Sequence, residues 1–397
     1  MSNPSASSRP LVQGFAYNDP DLTPPIVNAT RLLCRAGFDV ELYTRETGEP
    51  HRVSYPDEAR VIRLDNRGKG SWSQFFAFLR EATGRARRDA AFFWGHDMHG
   101  FMAARLTAWR RRRPFIYHCH DYADPGWMTA GTHLVHAFER CFARTADAVV
   151  IPDAGRAEVI ARDLGLHRAP LVAANAPILA PLVRRHALRE ALHARGKHFD
   201  KIVFRQGRIT WGHAIEATIR SIPLWQRSDW GFVLMGPADE GYLKSLAQLA
   251  YGLGVADQLV ILPPVSYDEV LSFTPDADVG HALYDRVHVN HTYFGTASNK
   301  AMEYLATGLP LLASPSETLK HLITDRGCGA WADEKDPASI AQGINGLLAN
   351  VEARQRMGAA ARKAFEEVFC YDRQYRPVLE RMRELSSSGS ICPPQNP

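Results

Sequence analysis

The sequence predicts an α/β protein with two Rossmann-like, doubly wound domains. Short apolar strands alternate with helical segments along most of the chain, which is the pattern of repeated βα units. The length of 397 residues also favours more than one domain. A stretch rich in Pro, Arg and His separates two groups of strands. We therefore predict a first domain over 1–176, a linker over 177–200, a second domain over 201–370, a C-terminal helix over 371–385 that is a candidate for crossing back to the first domain, and a disordered tail over 386–397.

Composition favours a globular protein in a reducing cytoplasm. Hydrophobic residues make up 45% of the chain, charged residues 23%, and the net charge is only +4. No apolar run approaches the ~20 residues that span a bilayer, and the N-terminal residues lack the apolar core of a secretory signal. The six cysteines are scattered without paired spacing, so we expect neither a disulfide framework nor a metal cluster.

The first domain begins with a βαβ pattern. Leu11–Ala16 is a predicted strand, and Thr23 followed by Pro24 is a typical helix start for a helix over Ile26–Arg35. Gly37 ends this helix before a second strand, Phe38–Tyr43. The turn lacks a Gly-x-Gly-x-x-Gly pattern, so no dinucleotide cofactor is expected. Three further strands are predicted over Ala90–Trp94, Phe115–Asp121 and Ala148–Pro152.

Two of these strands end in the same dipeptide. His96-Asp97 and His120-Asp121 stand at equivalent strand ends, where open α/β sheets bind ligands. His120 and Asp121 are therefore candidate site residues. The alternative is an ordinary surface histidine at the end of a strand.

A basic run lies between these strands. Arg110, Arg111, Arg112 and Arg113 follow Trp109 on a predicted helix. A solvated helix face explains such a run, and so does peripheral contact with an anionic membrane surface. Nucleic-acid binding is not expected, because no aromatic–basic platform or helix-turn-helix pattern accompanies the run.

The second domain begins with a strand and a glycine turn. The strand and its glycine turn at Gly207 together cover Lys201–Arg208, and a helix over His213–Leu224 follows. Backbone amides of this turn, together with Arg208, form a predicted phosphate-binding element. An ordinary strand–turn–helix corner is the alternative. Further strands are predicted over Gly231–Pro237, which carries a glycine turn at Gly236, and over Leu259–Leu262 and Ala277–Gly280.

The most informative stretch is 298–314. Ser298 or Asn299 can cap a helix whose N-terminus attracts a phosphate. Glu303 shares a helical face with Asn299 and Lys300, so its carboxylate can accept hydrogen bonds from a ribose diol. Phosphate and ribose together indicate a nucleoside diphosphate site. A capped amphipathic helix before a core strand is the alternative reading.

This stretch resembles the donor-site motif of retaining glycosyltransferases of the GT-B fold, glycosyltransferase family 4. The shared pattern is Asn-Lys-x-x-Glu-Tyr-x-Ala-x-Gly-x-Pro, as in one subgroup of that family. Ala277–Gly280, Gly207–His213 and Pro337–Ala341 are similar to other family segments, and the likeness runs from about Leu33 to Phe369. The resemblance implies two domains facing a cleft, with the acceptor on the first and the donor on the second.

Two positions depart from the family pattern. Gly295 stands where many members have a carboxylate near the donor sugar, and His213 stands where an Arg often meets the pyrophosphate. The first departure bears on donor choice, and the second on charge at the phosphates.

The resemblance implies transfer of a sugar, a hexose or a related one, from a nucleotide-diphosphate sugar with retention of configuration. It implies no metal, and the acceptor is a small molecule, a glycan or a lipid-linked molecule. The alternatives are a GT-B-like epimerase or phosphorylase and a catalytically silent nucleotide-sugar-binding protein. The resemblance assigns catalysis to His120, Asp121 and Arg208, and donor binding to Gly207, His213, Gly236, Ser298, Asn299, Lys300 and Glu303.

Overall fold

The structure is a computed structural model, and it describes residues 9–48, 53–65, 70–124, 126, 128–183 and 185–388. The chain divides into two compact units. The first comprises 1–173 and 374–397, and the second comprises 174–373. Each unit contains one parallel sheet, which confirms the predicted pair of Rossmann-like domains.

Within the described residues, the sheet of the first unit has seven strands in the order β3-β2-β1-β4-β5-β6-β7, and all neighbours are parallel. Its strands are β1 (Leu11–Ala16), β2 (Asp39–Arg45), β3 (Ala59–Leu64), β4 (Ala90–His96), β5 (Phe115–His118), β6 (Ala148–Ile151) and β7 (Leu171–Val172). The helices of this unit are α1 (Pro24–Arg35), α2 (Ser71–Gly84), α3 (Asp97–Arg111), α4 (Ala130–Phe142) and α5 (Ala154–Asp163), joined by the C-terminal helix Arg376–Ser388.

The sheet of the second unit has six strands among the described residues, again all parallel, in the order β10-β9-β8-β11-β12-β13. They are β8 (Lys201–Gln206), β9 (Trp230–Met235), β10 (Leu259–Leu262), β11 (Val279–Ala282), β12 (Leu311–Ala313) and β13 (Gly329–Trp331). The helices that follow α5 along the chain are α6 (Ala187–His193), α7 (Ile215–Ser221), α8 (Glu240–Gly252), α9 (Tyr267–Phe273), α10 (Val289–Thr292), α11 (Asn299–Thr307), α12 (Glu317–Lys320), α13 (Pro337–Ala349), α14 (Val351–Ala364), α15 (Tyr371–Gln374) and α16 (Arg376–Ser388).

Each sheet supplies one face of an apolar core. In the first unit, Phe15 and Phe93 of the central strands pack with Phe101 of α3. In the second unit, Phe232 and Leu234 pack with Ile344 of α13. Strands buried on both faces read as nearly continuous apolar runs, which is why the sequence predicted most of them.

Several predicted boundaries differ from the structure for local reasons. The strand over Phe115–Asp121 ends at His118, because the amides of His120 and Asp121 both donate to a side-chain carboxylate, that of Asp97. The helix predicted from His213 begins only at Ile215, since Gly212 and Ala214 have φ values of 78° and 50°. Such left-handed residues cannot continue a helix.

Other segments have more structure than the sequence indicated. The predicted linker over 177–200 contains α6, and the sequence analysis did not identify β3 or α2. The predicted tail over 386–397 is helical as far as Ser388, and its remainder lies outside the described residues. Residues from Gln374 onward cluster with the first unit.

Candidate functional site

The N-terminus of α11 is capped by Ser298, which was one of the two predicted caps. The Ser298 side chain accepts a hydrogen bond from the amide of Ala301, and Asn299 is the first helical residue. Gly308 ends the helix in the left-handed conformation at φ 68°. Gly295, where the carboxylate of related sequences is missing, is buried in a short turn before this cap.

Tyr284, which the sequence analysis did not single out, joins the cap to Lys300. The ammonium of Lys300 donates to the Tyr284 hydroxyl at 2.6 Å, and that hydroxyl lies 2.9 Å from the Ser298 hydroxyl. Burial alone would raise the pKa of the Tyr284 phenol, but Lys300 and Arg205 lower it below its usual value. The phenol therefore stands in a positive environment.

Arg205 is the second cation of this region, and it is completely buried in β8. Burial lowers the pKa of Arg205, and the groups that oppose this effect are tyrosine phenols rather than a carboxylate. Its Nη1 donates to His281 Nδ1 at 3.1 Å, whereas Nε and Nη2 have no hydrogen-bond partner among the described residues. The guanidinium lies 5.5 Å from the centroid of the Tyr284 ring.

The hydrogen bonds around His281 determine its tautomer. Thr218 donates its hydroxyl hydrogen to the carbonyl of Ala214, so its oxygen must accept from His281 Nε2 at 2.8 Å. His281 Nδ1 is then unprotonated and accepts from Arg205. His281 is thus a neutral partner that orients Arg205 without compensating its charge.

Glu303 lies in a buried polar chain that begins at β8. Its Oε2 accepts from Gln206 Nε2 at 2.5 Å, and Gln206 Oε1 accepts from the hydroxyl of Thr274 at 2.7 Å. Only 5% of Glu303 is exposed, and burial raises its pKa. Gln206 therefore fixes the orientation of this carboxylate.

The glycine turn after β8 approaches α11. A Cβ on Gly207 would lie 3.8 Å from Lys300 Cε, and a Cβ on Gly236 would lie 2.1 Å from the Gly207 carbonyl. Gly236 is thus required by the close approach of two turns. The amide of Gly207 donates to the carbonyl of Met235, so it is not available to a phosphate, contrary to the prediction for this turn.

Arg208 and His213 have opposite environments. Arg208 is exposed, and its guanidinium has no hydrogen bond or ion pair with a described residue. His213 is 8% exposed, and its Nδ1 lies 3.2 Å from the Arg208 carbonyl. Burial, reinforced by Arg205 and Lys300, lowers the pKa of His213 far below its usual range. His213 is therefore neutral and does not replace the positive charge of the arginine that often stands at this position in the family.

In the first unit, the backbone of His120 and Asp121 is held from two sides. Asp97 Oδ1 accepts from both amides at 2.9 and 3.4 Å, and Arg156 donates to the His120 carbonyl and to Asp121 Oδ1 at 2.9 and 3.1 Å. Asp97 has a φ of 49°, which is unusual for a residue with a Cβ. Burial, with a contribution from Asp121, raises the pKa of Asp97 to about 7. Strained backbone of this kind is concentrated at functional sites.

His120 belongs to a group of three buried histidines that the sequence analysis did not bring together. His96 ends β4 and His118 ends β5, and His120 follows two residues later. Burial lowers the pKa of His120 to about 4 and the pKa values of His96 and His118 well below the usual value. All three rings are therefore neutral.

The basic run lies at the C-terminal end of α3. The helix ends at Arg111, and Arg112 is left-handed with a φ of 53°. Arg110 and Arg112 are exposed, as is 67% of Trp109. Cations in this position also interact favourably with the helix dipole. No helix among the described residues combines the length and apolar character that a membrane span requires.

Two family models match adjacent parts of the chain. The model "Glycosyl transferase 4-like domain" matches residues 26–176, and "Glycosyl transferases group 1" matches residues 189–364. The chain is 24% identical over 392 residues to a D-inositol 3-phosphate glycosyltransferase of Xylanimonas cellulosilytica, covering 91% of both chains. It is also 30% identical over 177 residues to an uncharacterized glycosyltransferase of Methanocaldococcus jannaschii, covering 44% of this chain and 42% of that protein.

Solved structures share the fold at low sequence identity. Anabaena Alr3699/HepE in complex with UDP and glucose has a TM-score of 0.72 and 14% identity, covering 94% of this chain and 99% of that one. Sucrose-phosphate synthase from Thermosynechococcus elongatus has a TM-score of 0.71 and 14% identity, covering 96% and 100%. These likenesses define the class: a two-domain glycosyltransferase with the GT-B fold. More particularly, residues 26–176 match the 4-like glycosyltransferase domain and residues 189–364 match the group 1 glycosyltransferase domain.

Proposed function

We propose that this glycosyltransferase uses a nucleotide-diphosphate sugar and that the second unit binds it at the N-terminus of α11. The observation that supports this most is the pair of cations beside the capped helix end, the fully buried Arg205 and the half-buried Lys300. A buried charge is costly unless an opposite charge compensates it. Burial lowers the pKa of Lys300, and Tyr284 opposes this effect more than Glu303 does. A bound diphosphate would supply the missing negative charge.

Arg208 is suited to the departing phosphate. Its guanidinium is exposed and has no partner among the described residues, and it follows the turn that approaches Lys300. Negative charge on the leaving nucleoside diphosphate grows in the transition state, so a cation there accelerates the chemical step. His213 is neutral, so its contribution is a hydrogen bond rather than a charge.

Glu303 would bind the ribose of the donor. Gln206 holds one carboxylate oxygen, which orients the group before ligand arrives. Preorganisation of this kind lowers the entropic cost of binding. Asn299 and Gly236 complete the donor site in this proposal, as the family resemblance implies, and Gly207 contributes the close approach of its turn to Lys300 rather than its amide.

His120 and Asp121 would act in the first unit. The clamp by Asp97 and Arg156 fixes their backbone, which supports a role for His120 in positioning the donor sugar or the acceptor. Retention of configuration is part of the proposal and rests on the family resemblance.

The acceptor is a small molecule, a glycan or a lipid-linked molecule. Relatives named D-inositol 3-phosphate glycosyltransferases make an inositol phosphate the first acceptor to test. Arg110 to Arg113 would allow peripheral membrane contact if the acceptor is lipid-linked. We propose a cytoplasmic location for the same reaction.

A thermal-shift screen of UDP, GDP, ADP and their glucose conjugates tests the donor. Ligand at a hundred times its dissociation constant should add about 2.7 kcal/mol of stability. We expect one base to stabilise the protein, and Lys300→Met to abolish its effect while Lys244→Met, an exposed position in α8, leaves it intact. Absence of stabilisation by every nucleotide would contradict the proposal.

Turnover separates the proposed reaction from its alternatives. Release of nucleoside diphosphate should require an acceptor. Conversion of the donor without acceptor would indicate an epimerase or phosphorylase, and binding without turnover against any acceptor would indicate a silent binding protein.

A further inference from the structure

The carboxyl edge of the first sheet has a group of polar side chains where β1 and β2 end. The sheet register places the ends of β1 and β2 side by side, and β4, which leads directly into α3, pairs with β1 on the other side. Ligands of open α/β sheets bind at this edge. Five side chains from these strand ends, hereafter the edge group, are those of Tyr17, Asn18, Arg45, Asp97 and His99.

Arg45 is a cation without a carboxylate partner among the described residues. Its Nη1 donates to Gln74 Oε1 at 3.3 Å, and its buried Nε has no hydrogen-bond partner in the same part of the chain. The guanidinium lies 4.8 Å from the centroid of the Tyr17 ring, which stacks on the His99 ring at 5.1 Å. Burial and the Arg45 charge lower the pKa of His99 to about 4, so His99 is neutral. The uncompensated guanidinium favours an anion, and its planar set of donors matches a phosphate.

Asp97 supplies a hydrogen-bond acceptor in the same group. Its Oδ1 already accepts from two backbone amides, whereas its Oδ2 has no hydrogen bond with a described residue. Tyr17, Asn18, Asp97 and His99 help to line a cavity of about 10 Å³. This is close to the volume that one water-sized group requires. The cavity therefore has room for a single hydroxyl group that donates to Asp97.

The edge group is held in place before a ligand binds. Asp97 has a φ of 49°, and the two amides that it accepts fix the direction of its carboxylate. The hydroxyl of Thr44 donates to the Asn18 carbonyl at 2.7 Å, and the hydroxyl of Thr47 donates to Asp19 Oδ2 at 3.0 Å. These bonds tie the loop after β1 to the end of β2. Such preorganisation lowers the entropic cost of binding.

We propose that the edge group is the acceptor subsite and that the acceptor is a polyol carrying a phosphate group. Arg45 binds the phosphate, and Asp97 Oδ2 accepts a hydrogen bond from an acceptor hydroxyl in the cavity. A phosphate alone would be repelled by the Asp97 carboxylate, whereas a polyol phosphate satisfies both groups. The inference rests on the proposed function, because it assigns the acceptor of that reaction. A soluble polyol phosphate and the headgroup of a phospholipid share this chemistry.

Acceptor turnover by the full-length protein tests the proposal, with the glucose conjugate of the nucleotide that stabilises the protein as donor. The soluble acceptors are D-inositol 3-phosphate with myo-inositol, and glucose 6-phosphate with glucose. Vesicles containing phosphatidylinositol supply the lipid headgroup. The assay at pH 8 keeps Asp97 largely ionised, since burial raises its pKa only to about 7. We expect a phosphorylated acceptor to have a kcat/KM at least about 10-fold above that of its unphosphorylated counterpart, because bonds to charged groups are strong.

The outcome identifies the source of the phosphate. Preference for a soluble phosphate supports the proposal with a free polyol phosphate as acceptor. Turnover of phosphatidylinositol without turnover of the soluble phosphates supports it with a lipid headgroup as acceptor, provided that this turnover depends on Arg45. Equal turnover of phosphorylated and unphosphorylated acceptors would overturn it.

Arg45→Gln separates phosphate binding from a structural role. The variant keeps a donor for Gln74 but loses the charge, so KM for the phosphorylated acceptor should rise at least about 10-fold while kcat changes less. KM for the unphosphorylated acceptor should stay at its wild-type value, and Arg45→Lys should recover part of the preference. Arg60→Gln, an exposed position in the neighbouring β3, should behave like wild type. Equal losses with both acceptors, or an intact preference in Arg45→Gln, would contradict the assignment.

Asp97→Asn tests the cavity. The asparagine keeps one oxygen for the amides of His120 and Asp121 but loses the second acceptor oxygen. KM should rise at least about 10-fold for phosphorylated and unphosphorylated acceptors alike, because both donate the same hydroxyl. An unchanged KM would overturn the role of the cavity.

Thermal stabilisation of wild type and variants by nucleotide reports on the second unit separately and shows that each variant is folded. If nucleotide stabilises wild type but no preference for phosphate is found, the edge-group inference fails and the donor site stands. If no nucleotide stabilises wild type, the proposed function itself fails.

Discussion

The two units place different chemistry at the same structural position, the carboxyl edge of a parallel sheet. In the second unit this edge carries two cations, the fully buried Arg205 and the half-buried Lys300, whose main neighbour is the phenol of Tyr284. In the first unit it carries three neutral imidazoles, those of His96, His118 and His120. The fold therefore fixes where a ligand binds, whereas the side chains at the strand ends decide which ligand binds.

The comparison also shows two ways of leaving a site incomplete. Arg205 lacks a counterion and has two unpartnered nitrogens among the described residues, which favours an anion. His96, His118 and His120 lack charge, and four of their ring nitrogens have no hydrogen-bond partner within the same part of the chain. Both are local conflicts with the rule that buried polar groups are satisfied, and such conflicts are expected at functional sites.

The largest expected effect comes from the exposed cation of the second unit. Arg208→Ala should lower kcat by about 10²–10³, the usual cost of removing one group that stabilises transition-state charge. Donor affinity should change less, because Arg208 interacts most strongly with the charge that develops on the leaving group. Steady-state kinetics of the variant, with Arg220→Ala on α7 as an exposed control, provides the measurement. A loss confined to KM would mean that Arg208 contributes only uniform binding.

A smaller effect is expected from Glu303→Gln. The substitution should weaken donor binding, and its effect on stability should depend on pH. Loss of the charge-assisted bonds to the ribose should weaken donor binding by about 1–3 kcal/mol. Burial raises the folded-state pKa of Glu303. The protonated wild type therefore keeps its full stability below the unfolded-state pKa and loses part of it as pH rises through the folded-state pKa.

The glutamine variant does not titrate in this range. Its stability relative to wild type should therefore increase from about pH 4 to about pH 8, the interval above the ordinary pKa of a glutamate. Calorimetry measures the donor affinity of the variant. Denaturant unfolding at both pH values measures its stability relative to wild type. Glu240→Gln, exposed at the start of α8, is the matched control. An unchanged donor dissociation constant would remove Glu303 from the site.

The same comparison explains how far the sequence was informative. The donor motif is contiguous, so the cap at Ser298, the face shared by Lys300 and Glu303 and the turn at Gly308 follow from helix geometry alone. Arg205 could have been predicted as a site residue, since a charged residue inside an apolar strand such as β8 is rarely buried without a function. Tyr284 and Gln206 could not have been predicted as site residues, because their partners are defined only by tertiary contacts.

The first unit was harder to predict. His96 and His120 stood out as repeated strand ends, but the inclusion of His118 depends on the register between β4 and β5, which periodicity does not give. The positive φ of Asp97 and the backbone clamp on His120 were likewise invisible, because they result from long-range hydrogen bonds. β3 was missed because its apolar pattern is weak, with Leu64 as its one buried residue. α2 was missed although it has an apolar face, with Phe75 and Phe78 buried.

The smallest expected effect concerns the basic run of the first unit. It tests whether this run attracts the protein to an anionic membrane. Arg110→Gln with Arg112→Gln removes two exposed charges of the basic run. Each arginine near an anionic membrane contributes about 1 kcal/mol, and salt screens it over about 8–10 Å. If Trp109 and the run contact lipid, the double variant should lose up to about 2 kcal/mol of affinity for anionic vesicles at low salt.

Co-sedimentation with vesicles of neutral and anionic lipid, at low and high salt, measures this directly. Arg144→Gln with Arg168→Gln, two exposed positions of the same unit, removes the same charge elsewhere and controls for net charge. A specific role for the run requires that the first pair weakens sedimentation more than the second. If the two double variants lose the same amount of sedimentation with anionic vesicles, the attraction is non-specific. If wild type remains in the supernatant with anionic vesicles at low salt, the arginines only cap and solvate the end of α3, and a soluble acceptor is favoured.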